Sequence, residues 1–310
     1  MLFVVPEALN LFLRRQGGGG SRVIRPDGQR VGLEVIGTIV AALVLGLALS
    51  AGMAMAWHVA LRTGRSGWID AIWSFAVGGA GVAASLFPLS GTALTARQLL
   101  VASMVALWSL RLGIHIAIRT AHGGDDPRYR QLREDWGAQV RPRLFWFLQI
   151  QAAVAFILAL AVGVAAHRPT PGLDWRDALG VLILLVAIAG EGIADRQLAD
   201  FRKRPGNAAE VCTKGLWRFS RHPNYFFEWL GWVGYAVIAL DPGSYAAGWA
   251  ALAAPAMMYW LLVRISGIPP LEAHMLRARS DRFRAYQAKV NAFWPGPSRL
   301  PACRQPGELP

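Results

Sequence analysis

The chain has 310 residues, 54% of them hydrophobic and only 16% charged, with a mean hydropathy of +0.34. That is too apolar for a water-soluble domain of this length. The net charge of +13 lies mostly in short segments between apolar runs, which excludes a nucleic-acid-binding reading and points to membrane lipids or a phosphorylated ligand.

Residues 1–32 read as an N-terminal extension without catalytic importance. Gly17–Gly20 with Ser21 has the composition of a flexible linker, and the apolar stretch before it is short and broken by Pro6 and Glu7. The remainder, 33–310, reads as one membrane domain. A spanning helix needs roughly 20 apolar residues. Segments at 33–61, 69–89, 98–118, 144–166, 178–194, 226–240 and 245–265 meet or approach that length. The expected fold is therefore all-α, a polytopic protein of seven transmembrane helices. Most lysines and arginines fall on the side carrying 62–68, 119–143, 195–225 and the C-terminal tail. The positive-inside tendency places these loops and the C-terminus in the cytoplasm. The basic N-terminal extension argues the other way.

Ionisable residues inside spans usually face the bundle interior, where they pair or serve a site. Asp70 opens the second span, and Arg111 and His115 stand four apart in the third, on one face. Asp70 is a candidate partner for Arg111. Glu191 closes the fifth span. His58, alone on an apolar stretch, reads as a core or interface histidine.

The polar stretch Asp195–Arg221 follows. Asp195 and Arg202 are seven apart and share a helix face. Arg202, Lys203 and Arg204 form a positive patch that serves either as a membrane-surface anchor or as a phosphate site, for which arginine forks are well suited. Arg218 and Arg221 lie on the same side. The densest constellation is GLWRFSRHPNYFFEWLGW, residues 215–232, which gathers Arg218, Arg221, His222, Asn224, Tyr225 and Glu228 at the start of an apolar run. Pro223 suits the first turn of a helix. Asn224 and Glu228 are then neighbours on one face, an amide and a carboxylate able to bind another primary amide as donor and acceptor. A capped helix start whose polar groups satisfy one another is the plainer alternative. A basic amphipathic stretch from Glu272 and His274 to Tyr286 ends the described pattern at Trp294-Pro295. It either lies on the membrane surface or folds back over a ligand. Phosphate-binding loops, GxGxxG and HExxH motifs and paired CxxC spacings are absent, so no metal is expected, and a nucleotide would bind among helices. Cys212 and Cys303 are too few for a disulfide framework.

On these residues the chain resembles a bacterial member of the steroid 5-alpha-reductase-like superfamily, in the branch known as domain of unknown function 1295. The resemblance runs from about Trp68 to Pro295, with GLWRFSRHPNYFFEW, LLVRISGIPPLEAHM and the 286–295 tail its most specific parts. It implies a seven-helix membrane fold with NADPH bound between cytosolic loops and bundle, the signature lying in 195–295. It also implies hydride transfer to an activated carbon–carbon double bond of a lipophilic substrate entering from the bilayer of the inner membrane. Cofactor contacts implied in this way are Asp195, Arg202, Asn224 and Glu228. Lys203, Arg218, Arg221, His222 and Tyr225 join them through the basic loop and signature. His274 and Glu272 are candidates for a histidine contact that has no secure match. Two departures touch catalysis. The glutamine–glutamate pair that the relatives carry in the second helix reads Asp70-Ala71 here, before Ser74-Phe75-Ala76-Val77, and Ile116 stands where they carry a tyrosine. Asp70 and His115 are then the catalytic candidates. An S-adenosylmethionine-dependent membrane methyltransferase, which shares the Arg-His-Pro-x-Tyr motif, and a non-enzymatic scaffold or transporter are the rival expectations.

Overall fold

Hydrocarbon offers backbone N–H and C=O groups no partners, so an apolar chain of this kind satisfies them within helices. The computed structural model describes residues 26–89, 93–123, 127–207 and 210–297. The linker and apolar stretch before residue 26 lie outside them. Helix α1 runs Pro26–Thr63, so helix begins before the expected boundary at 33. It is followed by α2 (Gly67–Leu86), α3 (Ala96–His122), a short α4 (Pro127–Trp136) and α5 (Val140–Ala166). Then come α6 (Trp175–Lys203), α7 (Pro223–Ala239), α8 (Ala253–Trp260) and α9 (Ile268–Gln287). A π-helical turn, Leu261–Ile265, links α8 to α9. Among the described residues, six helical segments are long and apolar enough to cross a membrane. The expected span not among these six is the sixth, 226–240; it corresponds to α7, which has 17 residues and falls just short of that length.

In lipid the apolar tails solvate leucine as well as a neighbouring helix does, so helices associate through close packing, which small residues permit. Two antiparallel pairs show this. In α2–α3, Ser109 Oγ donates to Ser74 O at 2.9 Å. A Cβ on the facing Gly78 would fall 2.1 Å from that hydroxyl. In α6–α7, a Cβ on Gly190 would fall 2.4 Å from the Phe227 ring. Helix α5 is the central post: Leu148, Ala155, Leu158, Ala159 and Val162 are fully enclosed, against α1, α2, α3, α7 and α8. Its sequence is apolar nearly all round, and the face without a helix neighbour, with Trp146 and Ile150 exposed, is apolar too, as suits contact with lipid. Helix α1, by contrast, leaves Ile36, Leu43, Val44 and Leu47 exposed along one side.

Helix ends carry their own signals. Thr95 and Gln98 form a capping box for α3, Asp174 and Asp177 one for α6, and Pro223 opens α7. The chain thus has two polar ends. One carries the 87–97, 167–177 and 240–246 connections; the other carries α4, the 204–222 loop and α9.

Candidate active site

The 210–223 loop is held from two sides. Trp217 Nε1 donates to Ala194 O at 3.0 Å and Leu216 N to Gln197 Oε1 at 2.9 Å, tying it to α6. The tail returns over it: Arg221 N donates to Asn291 O at 2.8 Å, Ser220 Oγ to Phe293 O at 2.9 Å, and Gly296 N to Phe219 O at 3.0 Å. Trp229 meets Trp294 edge to face with ring centroids 5.0 Å apart, within a group that includes Phe226, Tyr259 and Phe293. The 291–296 end of the tail thus folds back over this loop.

Glu272 of α9 is the anchor of the motif. It accepts Arg221 Nε at 2.7 Å and Nη2 at 3.1 Å, approaches His222 Nε2 at 3.0 Å, and accepts Gln287 Nε2 at 2.7 Å. Arg221 Nη1 donates to Val290 O and Gln287 O. The guanidinium is therefore occupied by protein acceptors. His222 is 3% exposed and stacks on Tyr225 at 5.5 Å with 10° between the rings. Burial pushes its pKa below the ordinary 6.5, against the opposing pull of Glu272. With Nε2–H given to the carboxylate, Nδ1 is a buried lone pair without a hydrogen-bond partner.

One turn into α7 the expected amide and carboxylate appear. Glu228 is 8% exposed, and each oxygen receives an indole N–H: Trp108 Nε1 at 2.9 Å and Trp232 Nε1 at 3.0 Å. Asn224 is half-buried, and its side chain makes no hydrogen bond among the described residues. The self-satisfied cap considered from sequence is not what α7 shows: its start has no side-chain cap bond, and the partners of Glu228 are tryptophans rather than the other polar groups of the helix start.

Within electrostatic reach of Glu228, α3 and α6 border a cleft of about 300 Å³ lined by Arg111, Ile114, His115, Gly192, Asp195 and Arg196. Arg111 forms ion pairs with Glu191 and, at 2.8 Å, with Asp195; His115 Nε2 lies 3.6 Å from the same aspartate. Sequence reasoning named these residues without this arrangement. Asp70 is not the partner of Arg111. It takes Arg128 Nη2 at 2.5 Å and the Tyr129 hydroxyl at 2.9 Å, with Gln151 Nε2 donating to that hydroxyl at 3.4 Å. The reason is topological: α2 meets α4 and α5 on the side away from α6. The two catalytic candidates, Asp70 and His115, therefore belong to separate polar groups. Tyr129, 5% exposed, was missed because a tyrosine in a charged surface-type segment carries no signal of burial.

The remaining residues line the polar end. Arg202 and Lys203 close α6 on its exposed rim, Lys203 lying 3.8 Å from Asp200. Arg119, at the end of α3, and Arg279, at the kink of α9, come within electrostatic reach of Arg202. Arg218 is half-buried in a short turn, Gly215–Arg218, and His274 is half-buried on α9.

The comparisons with known proteins agree with this layout in extent. The family model described as a protein of unknown function, DUF1295, matches residues 56–290. That span reaches from the buried end of α1 through the Glu272 anchor to Val290. An uncharacterized protein of Schizosaccharomyces pombe is 24% identical over 284 residues, covering 81% of this chain and 79% of its own.

Proposed function

For this chain, which belongs to the DUF1295 family, we propose an NADPH-dependent membrane reductase that reduces an activated carbon–carbon double bond of a lipophilic, steroid- or isoprenoid-like enone. The observation that carries the reading is the half-buried Asn224 amide, without a hydrogen-bond partner among the described residues and one turn from a buried carboxylate. The donor set fits the cofactor. Asn224 offers both halves of an amide pair. Glu228 keeps lone pairs beyond the two that the indoles use. Asp195 offers carboxylate acceptors to hydroxyl groups. Arg202, with Arg119 nearby and Lys203 and Arg218 on the same rim, supplies the cationic charge that phosphates require. Arg221 and His222 build the wall through Glu272. In this reading α7 brings the spans to seven, the loops and C-terminus face the cytoplasm, and the protein lies in the inner membrane.

Bound NADPH supplies the hydride. Asn224 orients the carboxamide, and the Trp108–Glu228–Trp232 set holds the wall behind it in one geometry. His115, at the mouth of the cleft and 3.6 Å from Asp195, is placed to give a proton to the substrate as negative charge develops on it. The apolar faces of α3 and α6 exclude water. Asp70 with Tyr129 is a second buried acid–phenol pair and the reserve candidate for proton delivery.

A second reading draws on one observation. Two carboxylates, Glu191 and Asp195, ion-pair with Arg111 at this cleft, which Arg196 also lines, and such carboxylates can face the sulfonium of S-adenosylmethionine in a lipid methyltransferase. Titrating the detergent-purified protein with NADPH, NADH and S-adenosylmethionine in parallel separates the two. Tight NADPH binding that weakens at least tenfold in Asn224→Ala supports the reductase. Saturable S-adenosylmethionine binding without NADPH binding replaces it with methyl transfer. Binding of none of the three rejects both.

A further inference from the structure

The α3–α6 cleft holds a cation that the protein leaves uncompensated. Arg111 is taken by Glu191 and Asp195, and His115 shares that aspartate. Arg196 lines the same cleft and is exposed. Its one hydrogen bond among the described residues runs from Nε to Gly192 O at 3.3 Å, and it forms no ion pair with them. Both Nη nitrogens keep their donors for a ligand or for water. An arginine that anchors a helix at a membrane surface stretches its charge towards the polar end. Arg196 leans the other way, with the ordinary N-terminal tilt of a helical side chain, back to Gly192 and one turn nearer the apolar middle of α6. A guanidinium turned in that direction without a counter-charge is costly.

The floor beside it is bare. A Cβ added at Gly192 would lie 3.8 Å from Arg111 Nη2 and 3.8 Å from Arg196 Nη2. These are ordinary contact distances, so the space above the glycine is open and two guanidiniums border it. The walls continue as apolar stripes towards the other end of both helices. On α3, Leu107 and Leu110 share the face of the cleft-lining Ile114. On α6, Leu185 and Ala189 share the face of Gly192 and Arg196. All four are exposed, because α3 packs chiefly on α2 and α6 on α7. Cationic lining at one end and apolar stripes open to lipid along the rest match a molecule with an acidic head and an apolar tail.

We propose that this cleft receives an amphiphile by its carboxylate end, with Arg196 holding the carboxylate above Gly192 and the apolar tail lying along α3 and α6 against the bilayer. A carboxylate meets the planar guanidinium fork with two parallel hydrogen bonds. Asp195 in the same wall disfavours a dianionic phosphate head, and a neutral head leaves the Arg196 charge unpaired. Calling the amphiphile a substrate rests on the reductase reading, which the inference narrows to an enone that carries a carboxylate.

The test uses the full chain in nanodiscs at mildly alkaline pH, with myristate, 1-tetradecanol and tetradecyl phosphate as probes of equal chain length, each titrated against thermal unfolding. Myristate should give a saturable rise of about 2–4 °C, and the other two a smaller one. Arg196→Gln, at an exposed position bonded only to its own helix, should weaken the apparent myristate affinity at least tenfold. Gly192→Leu, which fills the open space, should do the same; if that variant fails to fold, Arg196→Gln decides alone. No response to myristate, an equal response to the alcohol, a stronger one to the phosphate, or an unaltered response in Arg196→Gln each overturns the proposal. NADPH titration of the same samples keeps the two readings apart. NADPH binding without a myristate response rejects the carboxylate site alone. A myristate response without NADPH binding leaves that site standing and rejects the reductase.

Discussion

Trp108 of α3 donates its indole N–H to Glu228 of α7 at 2.9 Å, joining the two antiparallel helix pairs through one hydrogen bond at the heart of the proposed site. A buried carboxylate with two neutral donors is solvated by the protein in place of water, and each such bond contributes roughly 1.5–3 kcal/mol. Trp108→Phe keeps the ring and removes the donor. It should lower stability by about 1–3 kcal/mol and weaken NADPH binding. Because Trp232 and Trp108 share one acceptor, the double variant Trp108→Phe/Trp232→Phe should depart from additivity. Unfolding in mixed micelles measures both; strict additivity would show that Glu228 does not couple them.

Arg111 ion-pairs with both Glu191 and Asp195, and its side chain is 18% exposed. Removing one partner of a mostly buried ion pair leaves uncompensated charge and costs about 3–5 kcal/mol. Arg111→Leu should unfold at a clearly lower temperature. Adding Glu191→Gln should restore part of the loss, because one stranded carboxylate is neutralised. Failure of the second change to restore anything would mean that Arg111 acts through packing.

Glu272→Gln tests the anchor of the tail. One amide oxygen cannot serve Arg221, His222 and Gln287 together, so α9 and the returning tail should loosen while the helix bundle stays intact. Limited proteolysis should cut this variant within 268–297 at least several-fold faster than the wild type. Equal cutting rates would count against Glu272 as the anchor.

The pH dependence follows from His222. Its folded-state pKa lies below 6.5, so the folded chain binds fewer protons than the unfolded chain between the two values. This contribution is complete above about pH 6.5 and is lost as the pH falls below it, with a slope of at most ~1.4 kcal/mol per pH unit. His222→Gln should flatten that slope. A variant as acid-sensitive as the wild type in this window would assign the effect to another group.

Gly190 of α6 faces the Phe227 ring of α7, and a Cβ added there would fall 2.4 Å from it. Gly190→Leu should force the helices apart and cost about 1–3 kcal/mol or more. Thermal unfolding measures it, and an unchanged midpoint would show that the interface yields freely.

The helical class and the order of the apolar segments were legible in the chain, because spanning length and backbone satisfaction in lipid are properties of contiguous residues. So was the concentration of polar groups around Arg221, His222, Asn224 and Glu228, since charge beside an apolar run shows in one dimension. Partnership did not show. Arg111 with Asp70 was a reasonable pairing by depth, but α2 turns its aspartate towards α4 and Tyr129, while α6 brings Glu191 and Asp195 to Arg111. Arg221 looked like a phosphate ligand until Glu272, 51 residues later, was folded against it. The open space above Gly192, bordered by Arg111 and Arg196, is invisible in any linear reading. Local spacing determined which elements form and which of their faces are polar. Which charge meets which was decided only by helix packing, where each buried group takes the partner that the neighbouring helix presents.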